Sequence, residues 1–262
     1  MIRGWKVMCI NYLRLIAYKK NALNLTMSIK SKKSVAIIQS NYIPWKGYFD
    51  MIAAVDEFII YDEVQYTRRD WRNRNQIKTP RGLEWLTIPV QVKGKYLQKI
   101  SETEVVGNEW RDLHWKKIIE NYRGASNFKK ISEWLEPLYL DFESEKLSEI
   151  NLVFIRYICE YLEINTKITN SNEYSLCDGK SERLANLCLQ VGASEYISGP
   201  SANGYIDETA FKDVGVELIW FDYDSYPEYT QLHCDKFYHN VSIIDLLFNC
   251  GPWSKEYLRF TK

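Results

Sequence analysis

Residues 35–78 read VAIIQSNYIPWKGYFDMIAAVDEFIIYDEVQYTRRDWRNRNQIK, and the reading of this stretch decides the fold. Val35 to Ile38 is a short apolar run that stops at Gln39, Ser40 and Asn41, and Pro44 blocks helix until Lys46. From there Tyr48, Phe49, Ile52, Ala53 and Val55 recur at near-helical spacing, and Glu57 to Tyr61 is again a buried-strand pattern. The unit is β-loop-α-β. Such a unit sets its strands parallel and offers ligands the loop after the first strand and the N-terminus of the helix. Gln39 and Asn41 are therefore candidate site residues, with Tyr42 and Trp45 as aromatic candidates in the same loop.

Outward from this unit, Arg68 to Lys78 alternates, and period two sets Arg68, Arg72 and Arg74 on one face of an expected strand, with Asn73 beside them. Three guanidinium groups in a row suit bidentate recognition of a diphosphate, better than lysines would. The same arginines would also serve a solvated strand paired with Asp62, Glu63 and Asp70. Pro80, Arg81 and Gly82 make a turn, and the return strand carries Leu86, Ile88, Val90 and Val92 toward the core. Three amphipathic helices follow, Trp110 to Tyr122, Lys129 to Leu140 and Lys146 to Leu162, an insert over about 108–163. The chain then returns to α/β. Expected there are a strand near Thr166 to Ile168, a helix from Ser181 to Val191, a strand from Glu195 to Ser198, a short helix from Asp207 to Lys212, a strand from Val216 to Phe221 and a last helix from Ser242 to Cys250.

The predicted fold class is α/β, a parallel or mixed sheet with a nucleotidylyltransferase-like β-loop-α-β start and a helical insert. The late loop Ser198, Gly199, Pro200, Ser201 would face the first loop and supply hydroxyls and a glycine to a phosphate. The paired histidines of an HxGH-type motif are missing, since Trp45, Lys46 and Gly47 stand in that place, and adenylyl transfer is not inferred. For proton transfer the candidates are Gln39, Asp62 with Glu63 at the end of the second strand, and His239, which stands just before the last helix.

Composition excludes several classes. With 262 residues, 46% of them hydrophobic, the chain can bury a full core. Formal charge is zero, but residues 1–33 hold eight basic residues and no acidic one, leaving 26 basic against 34 acidic in a body near −8. Such a body is a poor general nucleic-acid binder. We expect residues 1–33 to form an N-terminal arm outside a single domain over 34–262, without a signal peptide, and no membrane insertion. Six cysteines without a CxxC pair read as reduced thiols of a cytoplasmic protein, and adjacent His233 and Cys234 would point apart, so no metal is expected.

The strings QSNYIPWKGYFD (39–50), YDEVQYTRRDWRNRNQIKTPRGLEWLTIPV (61–90), SGPSANGYID (198–207) and NVSIIDLLFNCG (240–251) resemble the WbqC-like family, which is associated with O-antigen and other surface-polysaccharide gene clusters. The likeness runs from about Val35 to near the C-terminus. It implies a bacterial lipopolysaccharide-biosynthesis role, as an acyl or aminoacyl transferase of glycyl type acting on a nucleotide-linked amino sugar, with ATP as an activating cofactor. The alternative is a non-catalytic component that binds the nucleotide sugar or a partner in the same pathway.

Overall fold

The structure is a computed structural model that describes residues 32–233 and 236–261. The expected arm over 1–33 therefore lies, save its last two residues, outside the described residues, as does Cys234. Five strands, β1 (Ser34–Ile38), β2 (Glu57–Ile60), β5 (Lys167–Asn170), β6 (Glu195–Ser198) and β7 (Glu217–Trp220), form one sheet in the order β5-β2-β1-β6-β7. Every neighbouring pair in it is parallel. The antiparallel pair β3 (Arg74–Thr79) and β4 (Gly82–Thr87) stands apart from it. Helix α1 (Lys46–Ala53) joins β1 to β2; α2 (Glu109–Tyr122), α3 (Phe128–Leu140) and α4 (Leu147–Tyr161) lie between β4 and β5. Then α5 (Ser181–Gln190) leads to β6, α6 (Glu208–Asp213) to β7, and α7 (Ile243–Cys250) follows.

Strand alternation divides the core in two. Val35, Ile37, Ile59 and Tyr61 pack with Leu184, Leu187 and Phe211 of α5 and α6. Ala36, Phe58 and Ile60 point the other way, into a larger core with α1, the three-helix block and α7. Because a parallel strand is covered on both faces, β1 and β2 read as unbroken apolar runs rather than as alternating ones. From Lys46 to Ile52 every residue of α1 is buried, as expected of a helix enclosed between sheet and insert. Among the described residues no helix is long and apolar enough to cross a membrane.

One strand is shorter than its sequence pattern predicts. Residues 68–73 are turns, and β3 begins only at Arg74. Arg69 takes the left-handed region at φ +60°, and the Asp70 carboxylate accepts from the Trp71 amide at 2.7 Å, a local bond that competes with the ladder. The Trp71 carbonyl then accepts from the Tyr42 amide at 3.0 Å, tying the segment to the loop after β1. The expected single face of Arg68, Arg72 and Arg74 does not exist.

Candidate functional site

The sheet order fixes where a ligand can enter. From β1 the chain runs outward to β2, whereas from β6 it runs outward to β7, so the loops after β1 and β6 part and leave a crevice at the carboxyl ends of the strands. That crevice has a volume of about 940 Å³, within the range that takes a nucleotide-sized ligand.

The first wall is an unusually constrained loop. Ile43, a β-branched residue, sits at φ +35°, a conformation disfavoured for its side chain. It is held there from two directions. Asn75 on β3 donates to the carbonyls of Tyr42 and Ile43 at 3.1 and 2.8 Å, and the cap of α7 donates from Ser242 Oγ to the Ile43 carbonyl at 2.7 Å and from the Ile243 amide to the Pro44 carbonyl at 2.9 Å. Helix α4 adds a third tie. Its fully buried Asn151 donates to Ser40 Oγ at 3.0 Å and to the Arg72 carbonyl at 2.9 Å, fixing the first loop and the arginine segment to one point. The consequence is preorganisation: Gln39, Asn41 and Trp45 line the crevice from a backbone with little freedom left.

Around this loop the crevice is cationic. Among the described residues, Arg72, Lys99, Lys180 and Arg183 line it against a single carboxylate, Glu63. The Arg72 guanidinium donates to Asn41 Oδ1 and lies 3.6 Å from Asp70. Lys99 bonds Glu63 at 2.7 Å. Burial alone would push the Glu63 carboxyl up, but hydrogen bonds from Lys99 and Ser101 and the Lys99 charge outweigh it and hold the group below its ordinary value. Lys180 and Arg183 stand at the N-terminal end of α5, where the helix macrodipole disfavours cations and favours an anion. Trp45 and Tyr223, with ring centroids 5.2 Å apart, give an aromatic flank, and Tyr196 and Tyr205 line the side nearer β6.

Ser198, Gly199 and Ser201 line the crevice as the sequence led us to expect. Gly199, however, is not there for conformational freedom. Its backbone is extended at φ −71°, and a Cβ would meet Tyr223 at an ordinary 3.7 Å. A close approach of backbone to phosphate is not enforced at this position.

The remaining candidates separate. Asp62 is nearly inaccessible: its carboxylate accepts from the Ser40 amide at 2.8 Å and from Ser148 Oγ, behind the crevice wall. Burial raises its pKa, with those hydrogen bonds and the Arg72 charge opposing. It orients the loop and does not reach a ligand. Tyr42 is core, its hydroxyl sharing bonds with His114 Nδ1 at 2.9 Å and Tyr139 at 2.8 Å. Burial brings His114 down to about 4, so this imidazole is neutral and structural. Asn73 is buried and donates to the Ile88 carbonyl at 2.7 Å. Arg68 is exposed in the turn and lines neither cleft described here. Arg74 and His239 line a different cleft.

The crevice residues that sequence reasoning missed are Lys99, Lys180, Arg183 and the tyrosines. Lys180 and Arg183 carried a signal: two cations at the start of a helix that follows a strand and a glycine, Gly179 at φ +87°. Lys99 and Tyr223 carried none, because their loops reach the crevice through tertiary structure alone.

Comparison with known proteins agrees with the residue strings. A curated relative, the uncharacterized protein Rv1507c of Mycobacterium tuberculosis (strain ATCC 25618 / H37Rv), is 54% identical over 230 residues, covering 88% of this chain and 99% of the relative. No solved structure matches. The model of the WbqC-like protein family matches residues 39–257, a span that includes both crevice loops, the insert and α7, and the chain belongs to that family.

Proposed function

We propose that the chain is a transferase of surface-polysaccharide biosynthesis that binds a nucleotide-linked amino sugar in the crevice and acylates or aminoacylates its amine. The observation that supports this most directly is the preorganised crevice at the sheet's switch point, with Arg72, Lys180 and Arg183 converging on it beside the start of α5. A diphosphate needs such a set of fixed donors, and Trp45 with Tyr223 offers rings against which a base or sugar can lie. In the transfer a bond forms between the amine nitrogen and the acyl carbon, the donor's leaving group departs with its electron pair, and the amine gives up a proton. Glu63, the carboxylate that lines the crevice, would take it. ATP would fit the same cationic wall and volume, and when bound it would activate the acyl donor's carboxylate. Gln39 and Asn41 would then orient polar groups of the sugar.

A second reading has its own support. Glu63 is tied up by Lys99 and depressed, Asp62 is sealed behind the wall, and none of the three histidines lines the crevice, so a binding component without turnover fits equally well. Thermal-shift and calorimetric titration with ATP, dTDP, UDP and their amino sugars, followed by mass spectrometry with acyl donors, separates the two. Binding with a product heavier by the acyl group is the expected result. Binding without product selects the second reading, and no stabilisation by any nucleotide overturns both.

A further inference from the structure

A second hollow adjoins the crevice at Trp45. Asn41 and Trp45 also line a hollow of about 240 Å³ whose far wall is Trp71 and Asn240. Those two in turn line a cleft of about 620 Å³ bounded by Asp70, Arg74, Gln76, Trp85 and His239. The three therefore adjoin one another, with Asn41 and Trp45 common to the first two and Trp71 and Asn240 to the last two.

The far cleft is built around two tryptophans that the core does not need. Trp71 and Trp85 are 40% and 37% exposed, with ring centroids 5.4 Å apart. They are held still. The Arg74 guanidinium lies 4.2 Å from the Trp85 ring centroid and donates to the Arg69 carbonyl, while the Trp71 amide and carbonyl are taken by Asp70 and Tyr42. A rigid aromatic platform costs a ligand little ordering entropy. The polar groups of the far cleft are the Asp70 carboxylate, the Gln76 and Asn240 amides, the His239 imidazole, the Tyr238 hydroxyl and the guanidiniums of Arg69 and Arg74. Burial and the Lys46 charge keep His239 below its ordinary pKa, so at neutral pH its ring both donates and accepts.

We propose that this far cleft is a saccharide subsite, in which the C–H face of a neutral pyranose lies on Trp71 and its hydroxyls bond Asp70, Gln76, Asn240 and His239. The chemistry favours a sugar over a nucleotide. Arg74 already lies over the Trp85 ring, and two arginines against Asp70 give the cleft a smaller cationic excess than the four cations against Glu63 in the crevice. The far cleft then holds a second sugar beyond any carried by a nucleotide, a step past the proposed function that stands whether or not the crevice takes one.

The test is saturation-transfer NMR and titration of the full chain with disaccharides of hexose, N-acetylhexosamine and 6-deoxyhexose, and separately with dTDP and UDP. At least one disaccharide binds. Trp71→Ala weakens it about tenfold or more, the worth of one aromatic contact, while nucleotide binding is unchanged; Trp71→Phe, which keeps a ring and guards against misfolding, retains most of it. Arg183→Ala in the crevice shows the reverse pattern. The proposal is overturned if no disaccharide binds, if binding survives Trp71→Ala, or if dTDP or UDP is the ligand this substitution loses. Nucleotides that fail to bind while the sugar arm behaves as expected would count against the crevice reading alone.

Discussion

Replacing Arg72 by alanine separates ligand binding from folding. The side chain is 14% exposed on the crevice wall, donates to Asn41 and lies 3.6 Å from an Asp70 carboxylate that is 31% exposed. That ion pair reaches water, so it is worth at most about 1 kcal/mol. The backbone of the segment does not depend on the side chain, because Asn151 grips the Arg72 carbonyl and Tyr42 the Trp71 carbonyl. Arg72→Ala should therefore cost the fold about 1 kcal/mol, a drop of roughly 2 to 4 °C in Tm for a domain of this size. Against a diphosphate the loss is larger. Charge-assisted bonds from a largely shielded guanidinium are worth roughly 2 to 3 kcal/mol, which is about 30- to 150-fold in Kd. Arg72→Lys restores charge without the fork and should recover only part of it. Calorimetric titration of dTDP- or UDP-sugars into wild type and both variants, with melts alongside, gives both numbers. Affinity unchanged in both variants would refute the clamp.

Two further outcomes follow from groups buried beside the site. Asn75→Ala strands the Tyr42 carbonyl in the interior and leaves the Ile43 carbonyl on Ser242 Oγ alone, so stability should fall by about 1 to 3 kcal/mol and nucleotide affinity with it; a melt within a degree of wild type would show that Asn75 does not hold the strained loop. Glu57 is fully buried at the start of β2; burial would raise its carboxyl, but bonds from Lys33, Lys167 and Tyr174 outweigh it and bring the group down to about 2 from 4.5. A folded pKa below the unfolded one means stability present above the ordinary value and lost as pH falls toward 2, worth about 1 to 2 kcal/mol once screening at the partly exposed lysines is allowed for. Wild type should lose Tm across that window more steeply than Glu57→Gln, and parallel curves by calorimetry would contradict it.

The fold was legible where local pattern and tertiary role coincide. Apolar runs at Val35 and Glu57 gave buried strands, and helix ends fell within a residue or so where a cap exists, as with Asp207 on α6 and Ser242 on α7. Pattern failed at Arg68 to Asn73. Period two there is a property of the letters, whereas the backbone follows Asp70, whose short side chain bonds the next amide and turns the chain away from the ladder. A strand reading needed a neighbour to pair with, and the Trp71 carbonyl instead found Tyr42, 29 positions earlier, which no window of sequence reveals.

The same cause explains why only half of the candidate site was legible. Position at the end of a strand says that a residue is near the crevice, but not which side of the wall it occupies. Gln39 faces the crevice while Ser40 next to it turns inward to Asn151, and Asp62 turns inward to Ser40 and Ser148 while Glu63 next to it faces out to Lys99. Alternation predicts that neighbours split in this way but leaves the phase open, and here the phase is set by the α4 residues Ser148 and Asn151, which meet the two loops about a hundred positions from them. The three-helix block is thus more than a cover over the sheet. By supplying Asn151 to the first loop and the arginine segment together, it decides which polar side chains the crevice presents. Asn151→Leu, which keeps the bulk and removes the donors, should therefore loosen the Gln39 and Arg72 walls together and lower ligand affinity more than either wall's own alanine variant does.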